Sequence, residues 1–130
     1  MIVLVPIDDT LASHQAIPVA LEEADELVLA TVGELPETSD HREDILRALR
    51  ARLDEAASGI ADRSVPVRMR VELAGDPVRG ILAIAREEGV DRIVIASDEP
   101  SVLEKMVDGS TAEDLKEELS GIDLVIVPRR

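Results

Sequence analysis

The sequence predicts one open α/β domain, a twisted parallel sheet of five strands with four helices on its two faces. Short apolar segments rich in Val and Ile are typical of strands that are covered on both sides. Amphipathic patterns of helical period lie between them, and this alternation implies right-handed crossovers around a single sheet. A chain of 130 residues can bury a self-sufficient core, and no linker or repeat divides it. Residues 1–130 are therefore assigned to one domain.

Continuous apolar runs predict four of the strands, and a segment of period two predicts the remaining one. The four runs are Ile2–Val5, Leu27–Ala30, Ile93–Ala96 and Leu124–Val127. In the other segment, from Val65 to Glu72, apolar and polar side chains alternate, which predicts one buried and one wet face. The residues expected on the buried face are Val65, Val67, Met69 and Val71. Pro66 lacks a donor for the ladder, so we expect this strand at a sheet edge.

The first two helices are assigned from their caps and apolar faces. The first is expected after the N-cap Thr10, with Pro18 kinking it or disturbing its first turns. Its predicted buried face is Ile17, Leu21 and Ala24. The second is expected from Arg42 to Ile60, with Asp40 and Glu43 forming a capping box. Its apolar stripe is Ile45, Leu46, Leu49, Leu53 and Ala56.

The last two helices carry clear start and stop signals. Asp76 is the expected N-cap of the third helix, Pro77 its first residue and Gly89 its left-handed terminator. Its predicted face is Val78, Ile81, Leu82 and Ala85. The fourth helix is expected to start at Ser110, with Glu113 completing a capping box, and to stop at Gly121.

The net charge of −14 limits the classes of partner. Nucleic acid and anionic membranes would be repelled, so neither is expected to bind. The charge fits either a basic protein partner or a salt-rich cytosol, and the dominance of Arg over Lys105 and Lys116 favours halophilic adaptation. The chain has no cysteine, which excludes disulfides and thiolate chemistry. Because neither a leader peptide nor a run of ~20 apolar residues is found, we expect a soluble cytoplasmic protein.

Ligands of open parallel sheets bind beyond the carboxyl ends of the strands, where the strand order reverses. Two segments of the sequence fall there. One follows the first strand and contains Asp8. The other follows the fourth strand, from Ser97 to Thr111.

Three short motifs give these segments a likeness to a known family. They are Val5-Pro6-Ile7-Asp8-Asp9-Thr10, Gly75-Asp76-Pro77, and Gly109-Ser110 at a fixed distance after Ala96 and Glu99. In order and spacing the chain resembles the universal stress protein family. That family typically shows Val-Pro-Val-Asp-Gly-Ser, then Gly-Asp-Pro, then Gly-x-x-Gly followed nine residues later by Gly-Ser or Gly-Thr. The resemblance covers nearly the whole chain.

The resemblance implies a HUP-type (adenine nucleotide alpha-hydrolase-like) architecture with strand order 3-2-1-4-5. It also implies a nucleotide site for ATP or AMP at Asp8, Ser97, Gly109, Ser110 and Thr111. The alternative is structural, with Ser110 capping a helix and Asp8 bracing a loop.

The glycine loop of this site is altered. Ala96 and Glu99 replace the two glycines, and Asp98 adds a further carboxylate. Pro100 supplies no N–H to a phosphate. A bound divalent cation could bridge carboxylate and phosphate, but these changes favour weak nucleotide binding and no resident cofactor.

No enzyme active site is predicted. His14 and His41 lack a third ligand at metal spacing and are interpreted as surface residues. No Gly-x-Ser-x-Gly elbow exists, and adjacent carboxylates on helices are usually solvated. We therefore expect a non-enzymatic stress-response or signalling module.

The last predicted strand, Leu124–Val127, is apolar, and as a sheet edge it could pair with another strand. The resemblance implies a homodimer through this strand about a two-fold axis. A further alternative that the family suggests is an accessory regulatory domain that docks on a transporter.

Overall fold

The computed structural model describes residues 1–8, 14–36, 38–60, 64–96 and 121–127. Its five strands form one parallel sheet in the order β3-β2-β1-β4-β5, which confirms the predicted fold class and strand order. The strands are β1 (Ile2–Pro6), β2 (Glu26–Gly33), β3 (Val67–Leu73), β4 (Arg92–Ala96) and β5 (Asp123–Val127). The first strand is therefore central, and β3 and β5 are the edges.

Three α-helices lie in the described part of the chain. They are α1 (Ala16–Glu23), α2 (Arg42–Ser58) and α3 (Pro77–Glu88). Helices α1 and α2 pack on one face of the sheet and α3 packs on the other. The fourth helix predicted from Ser110 lies outside the described residues. Gly121, its predicted terminator, has a φ of 85°.

In the described part of the chain, helix α1 begins at Ala16. The sequence places its N-cap at Thr10, which lies outside the described residues, whereas Gln15 occupies the N-cap position of α1. Pro18 therefore falls in the first turn of α1, where a backbone N–H has no partner within the helix. A proline at this position leaves the hydrogen-bond ladder of the helix intact.

The capping box predicted for α2 is wrong. Residues Ser39–His41 form a 3₁₀ turn that leads into the helix, and His41 is the N-cap without a side-chain hydrogen bond. Because Asp40 sits within the turn, it is one residue too early to cap α2. The helix also ends at Ser58, with Gly59 as its C-cap, two residues before the predicted end.

Helix α3 matches its prediction at both ends. The carboxylate of Asp76 accepts a hydrogen bond of 3.0 Å from the N–H of Val78, and Pro77 is the first helical residue. Gly89 ends the helix with φ 64° and ψ 41°, a left-handed conformation that glycine adopts without strain. The predicted face of Val78, Ile81, Leu82 and Ala85 is buried.

The core consists of two aliphatic layers, one on each face of the sheet. Alternate residues of the central strands contribute to opposite layers, as a pleated strand requires. Val3 and Val5 lie in the layer under α1 and α2, and Leu4 lies in the layer under α3. Val67 and Val71 of β3 pack against the first layer. Met69, predicted to be buried with them, is 48% exposed, because it lies at the open edge of the sheet.

Candidate functional site

The candidate site lies at the carboxyl edge of the sheet, beside the end of β1. The N–H of Ile7 donates to the carbonyl of Ala30, so the chain follows β2 for one residue beyond β1. Asp8 comes next and is exposed. Since Leu4 pairs with Ile93 in parallel register, the ends of β1 and β4 lie side by side. The carboxylate of Asp8 is thus placed at the point where the strand order reverses.

Of the predicted nucleotide residues, only Asp8 is described by the structure. Ser97, Gly109, Ser110 and Thr111 lie outside the described residues, as do Glu99 and Pro100. Ala96, at the first altered glycine position, is the last residue of β4.

The Gly-Asp-Pro motif also lies at this edge. Strand β3 ends at Leu73, and Gly75 and Asp76 connect it to α3. Gly80, in the first turns of α3, lies against Val32 of β2: a methyl group on its α-carbon would be 2.8 Å from Cγ1 of Val32. The absent side chain lets the start of α3 lie unusually close to the sheet.

A polar contact that the sequence did not reveal lies nearby. The guanidinium of Arg52 donates to Oγ1 of Thr31 over 3.0 Å. Thr31 is 1% exposed and is the buried polar residue of the described core. It follows Ala30, the partner of Pro6 at the end of β1. Neither residue carries a motif, because a lone Thr in a strand and a lone Arg in a charged helix are ordinary.

The opposite, amino edge of the sheet is held by ion pairs. The guanidinium of Arg92 binds the carboxylate of Glu23 and, at 3.3 Å, that of Asp123; these contacts raise the pKa of Arg92 above its ordinary value. The amino group of Met1 donates to Asp25, which lowers the pKa of that carboxyl and raises the pKa of the amino group. These contacts join α1 to the beginnings of β1, β4 and β5.

A second ion-pair network joins β3 to α3. Arg70 contacts Glu87 and Glu88, each at 2.6 Å, and these hydrogen bonds raise the pKa of its guanidinium. Arg68 contacts Glu26 and Glu88, each at 2.9 Å. The charged residues of β3 therefore face α3, and its apolar residues face α2.

A cavity of about 370 Å³ opens between α2 and β3. Its lining residues are Arg50, Leu53, Asp54, Met69, Arg70 and Val71. It lies beside the sheet edge at β3, away from the end of β1. This groove is thus separate from the candidate site at the end of β1.

Within the described residues, no group of three or more His, Asp or Glu side chains is arranged to hold a metal ion. His41 is exposed and His14 is partly buried. No helix among the described residues has the length and apolarity needed to cross a bilayer.

The strand order and the motifs at the carboxyl edge define a universal stress protein-like α/β domain. The model of the family described as "Universal stress protein family" matches residues 1–128, and the chain belongs to this family. The comparison with curated protein sequences gave no match.

Several solved structures share the fold. A universal stress protein family member from Burkholderia pseudomallei has 25% identity and a TM-score of 0.67, with 98% of this chain and 95% of that chain covered. A universal stress protein crystallised in complex with cAMP has 22% identity and a TM-score of 0.68, with 100% and 98% covered. A family member from Arabidopsis thaliana with AMP bound has 13% identity and a TM-score of 0.64, with 100% and 92% covered.

Proposed function

We propose that this chain is a cytoplasmic universal stress protein that acts as a non-enzymatic, dimeric regulatory module and does not hold adenine nucleotide tightly. The observation that carries the proposal is the acidic sequence Ser97-Asp98-Glu99-Pro100, which directly follows Ala96, the last residue of β4, along the chain. In family members that bind ATP, a glycine loop occupies this position.

A phosphate bound at the strand ends would lie near several carboxylates. Asp8 places an exposed carboxylate at the end of β1, beside the end of β4. Asp98 and Glu99 add two carboxylates within three residues of that strand. A polyphosphate is stabilised by N–H groups and by cations, and it is repelled by carboxylates. Pro100 also removes one backbone donor.

The second candidate function is binding of AMP, cAMP or ATP at the same strand ends. It is supported by the two structurally similar family members crystallised with AMP and with cAMP, and by the position of Asp8. In this case a divalent cation such as Mg²⁺ would offset the carboxylates beside the phosphates.

The dimer is proposed through β5. This strand lies at one edge of the sheet and pairs with β4 on its inner side. A second copy could add its own β5 to the outer side, and the contact would be isologous and closed.

The nucleotide experiment starts from protein purified without added nucleotide. The protein is denatured, and the released adenine compounds are quantified by ion-pair chromatography. We expect far less than one nucleotide per chain. Stoichiometric ATP, AMP or cAMP would contradict the proposal and support the second candidate.

Variants then locate the obstacle. Calorimetric titration with ATP, with and without Mg²⁺, compares the wild type with A96G/E99G and with Glu99→Gln. Restoring both glycines should strengthen binding by at least about tenfold, which corresponds to about 1.4 kcal/mol. Glu99→Gln removes the charge but keeps the side chain, so it separates repulsion from loss of backbone access. An unchanged affinity in both variants would contradict the assignment of the obstacle to this loop.

A further inference from the structure

Among the described residues, no strand pairs with the outer edge of β3. In the described part of the chain, β3 pairs with β2 alone. The carbonyl of Pro66 accepts from the N–H of Leu27, and the N–H of Ala74 donates to the carbonyl of Gly33, so both face β2. Because successive residues of a strand direct their backbone groups to opposite sides, the odd-numbered residues between them direct theirs outward. These residues are Val67, Met69, Val71 and Leu73.

The side chains of this edge are apolar on the α2 side. Val67 and Val71 pack against the core layer that contains Leu53. Met69 is 48% exposed and, with Leu53 and Val71, lines the cavity of about 370 Å³. A groove lined by three apolar and three charged side chains therefore runs beside a row of backbone groups that have no strand partner among the described residues. Strand addition uses an edge of this kind.

The side chains on the α3 side alternate in charge along the strand. Arg68 and Glu72 are 48% and 41% exposed, so each can contact a neighbouring chain. Arg70 lies between them, and its charge is offset by Glu87 and Glu88. The positive charge at the centre of the strand is thus compensated within the same chain.

The charge of the surrounding surface favours a second copy of this chain. Helix α2 and strand β3 contain six of the chain's 14 basic residues but only five of its 28 acidic residues. The remainder of the chain is strongly acidic. Two copies would therefore repel each other least when these faces meet.

We propose that the β3 edge is a self-association surface on which a second copy adds its own β3 in antiparallel orientation, about a two-fold axis at Arg70. In this register Arg68 lies opposite Glu72 of the second copy, twice per dimer. Met69 lies opposite the second copy's Val71 on the α2 side. Opposite charges and apolar pairs at such positions stabilise antiparallel strands, and like charges destabilise them.

Charge and strand length together select this register among those that keep the apolar side chains on one face. An axis at Met69 would place Arg68 opposite Arg70 of the second copy. An axis at Val71 would leave Val67 and Arg68 without strand partners. Only the axis at Arg70 pairs the full length of Val67–Leu73. In this register Arg70 lies opposite Arg70 of the second copy, and Glu87 and Glu88 of each copy offset its charge.

This contact is separate from the β5 dimer, since it uses the other edge of the sheet. Its test is a charge-reversal pair studied by sedimentation velocity over a range of concentrations. Arg68→Glu alone places two acids opposite each other, and Glu72→Arg alone places two arginines opposite each other. We expect each variant to weaken β3-mediated self-association by about tenfold, because two attractive cross-strand pairs become repulsive.

An equimolar mixture of the two variants should associate as the wild type does, because both junctions of the mixed dimer then pair Glu with Arg. Arg86→Glu, which makes the same change of charge on α3, is the matched control and should leave association unchanged. Circular dichroism checks that each variant is folded. The proposal is overturned if the single variants sediment like the wild type, or if the mixture of folded variants fails to associate.

Discussion

Gly80 of α3 lies so close to Val32 of β2 that a methyl group on its α-carbon would be 2.8 Å from Cγ1 and 3.0 Å from Cγ2 of that residue. Val32 is β-branched and has little rotameric freedom to move away. We therefore predict that Gly80→Ala destabilises the protein, because the overpacking alone costs about 1–3 kcal/mol. Alanine favours a helix interior by about 1 kcal/mol over glycine, so the net loss measured by urea denaturation will be smaller.

Gly75 provides the matched control. It lies in the connection that leads from β3 into α3, and an added methyl group would meet nothing within 4 Å. Gly75→Ala should change the free energy of unfolding by no more than about 0.5 kcal/mol. A Gly80→Ala variant as stable as the wild type would show that α3 can shift away from the sheet without loss.

The left-handed residue after α3 gives the second prediction. Gly89 has a φ of 64°, and an alanine held in this conformation costs about 1–2 kcal/mol. We expect Gly89→Ala to lower the urea midpoint accordingly. Gly59 ends α2 with a φ of −78°, so Gly59→Ala should be neutral or stabilising by about 0.4–1 kcal/mol. Equal effects at the two sites would contradict the role assigned to the sign of φ.

The third prediction concerns the hydrogen bond from Arg52 to Thr31. Thr31→Val keeps the shape of the side chain but removes the acceptor, and we expect a loss of about 1–3 kcal/mol because the contact lies against the buried core. Arg52→Met should also destabilise, since it leaves the buried hydroxyl unpaired. The double variant should lose less than the sum of the two single variants, by about 0.5 kcal/mol or more. Strict additivity in this cycle would mean that the hydrogen bond contributes nothing.

The fourth prediction concerns salt. A chain with a net charge of −14 repels itself, and the screening length falls from about 30 Å at 0.01 M salt to about 3 Å at 1 M. We expect the urea midpoint to rise with KCl between these concentrations. The ion pairs of Arg68 and Arg70 weaken in salt and oppose this trend. KCl is chosen because sulfate would strengthen apolar burial for a different reason. A midpoint that is flat or falls with KCl would argue against salt adaptation.

Local signals in the sequence were sufficient for most of the fold. Both ends of α3 could be predicted from Gly75-Asp76-Pro77 and Gly89. Each of these residues acts locally, through its backbone conformation or its capping hydrogen bond. The alternation around Pro66 correctly predicted an edge strand. Met69 was wrongly placed in the core, since the same alternation does not show that a cavity opens between α2 and β3 at this residue.

The candidate site was less accessible to sequence reasoning. Asp8 could be placed because it directly follows a buried strand in a parallel sheet. The Arg52–Thr31 contact depends on where α2 crosses β2, and that geometry is set by packing over a long sequence separation. The capping box at Asp40 and Glu43 was wrong for a local reason, since the 3₁₀ turn Ser39–His41 puts His41 at the N-cap position.

The position of β1 in the centre of the sheet has a consequence for biosynthesis. Its neighbour on one side, β2, begins at Glu26, and its neighbour on the other side, β4, begins at Arg92. On a ribosome, β1, β2 and β3 can assemble with α1 and α2 while β4 is still inside the exit tunnel. In the nascent domain, the edge of β1 that later pairs with β4 would then have no partner. Chaperone contacts during translation should concentrate at this edge until Ile93 emerges.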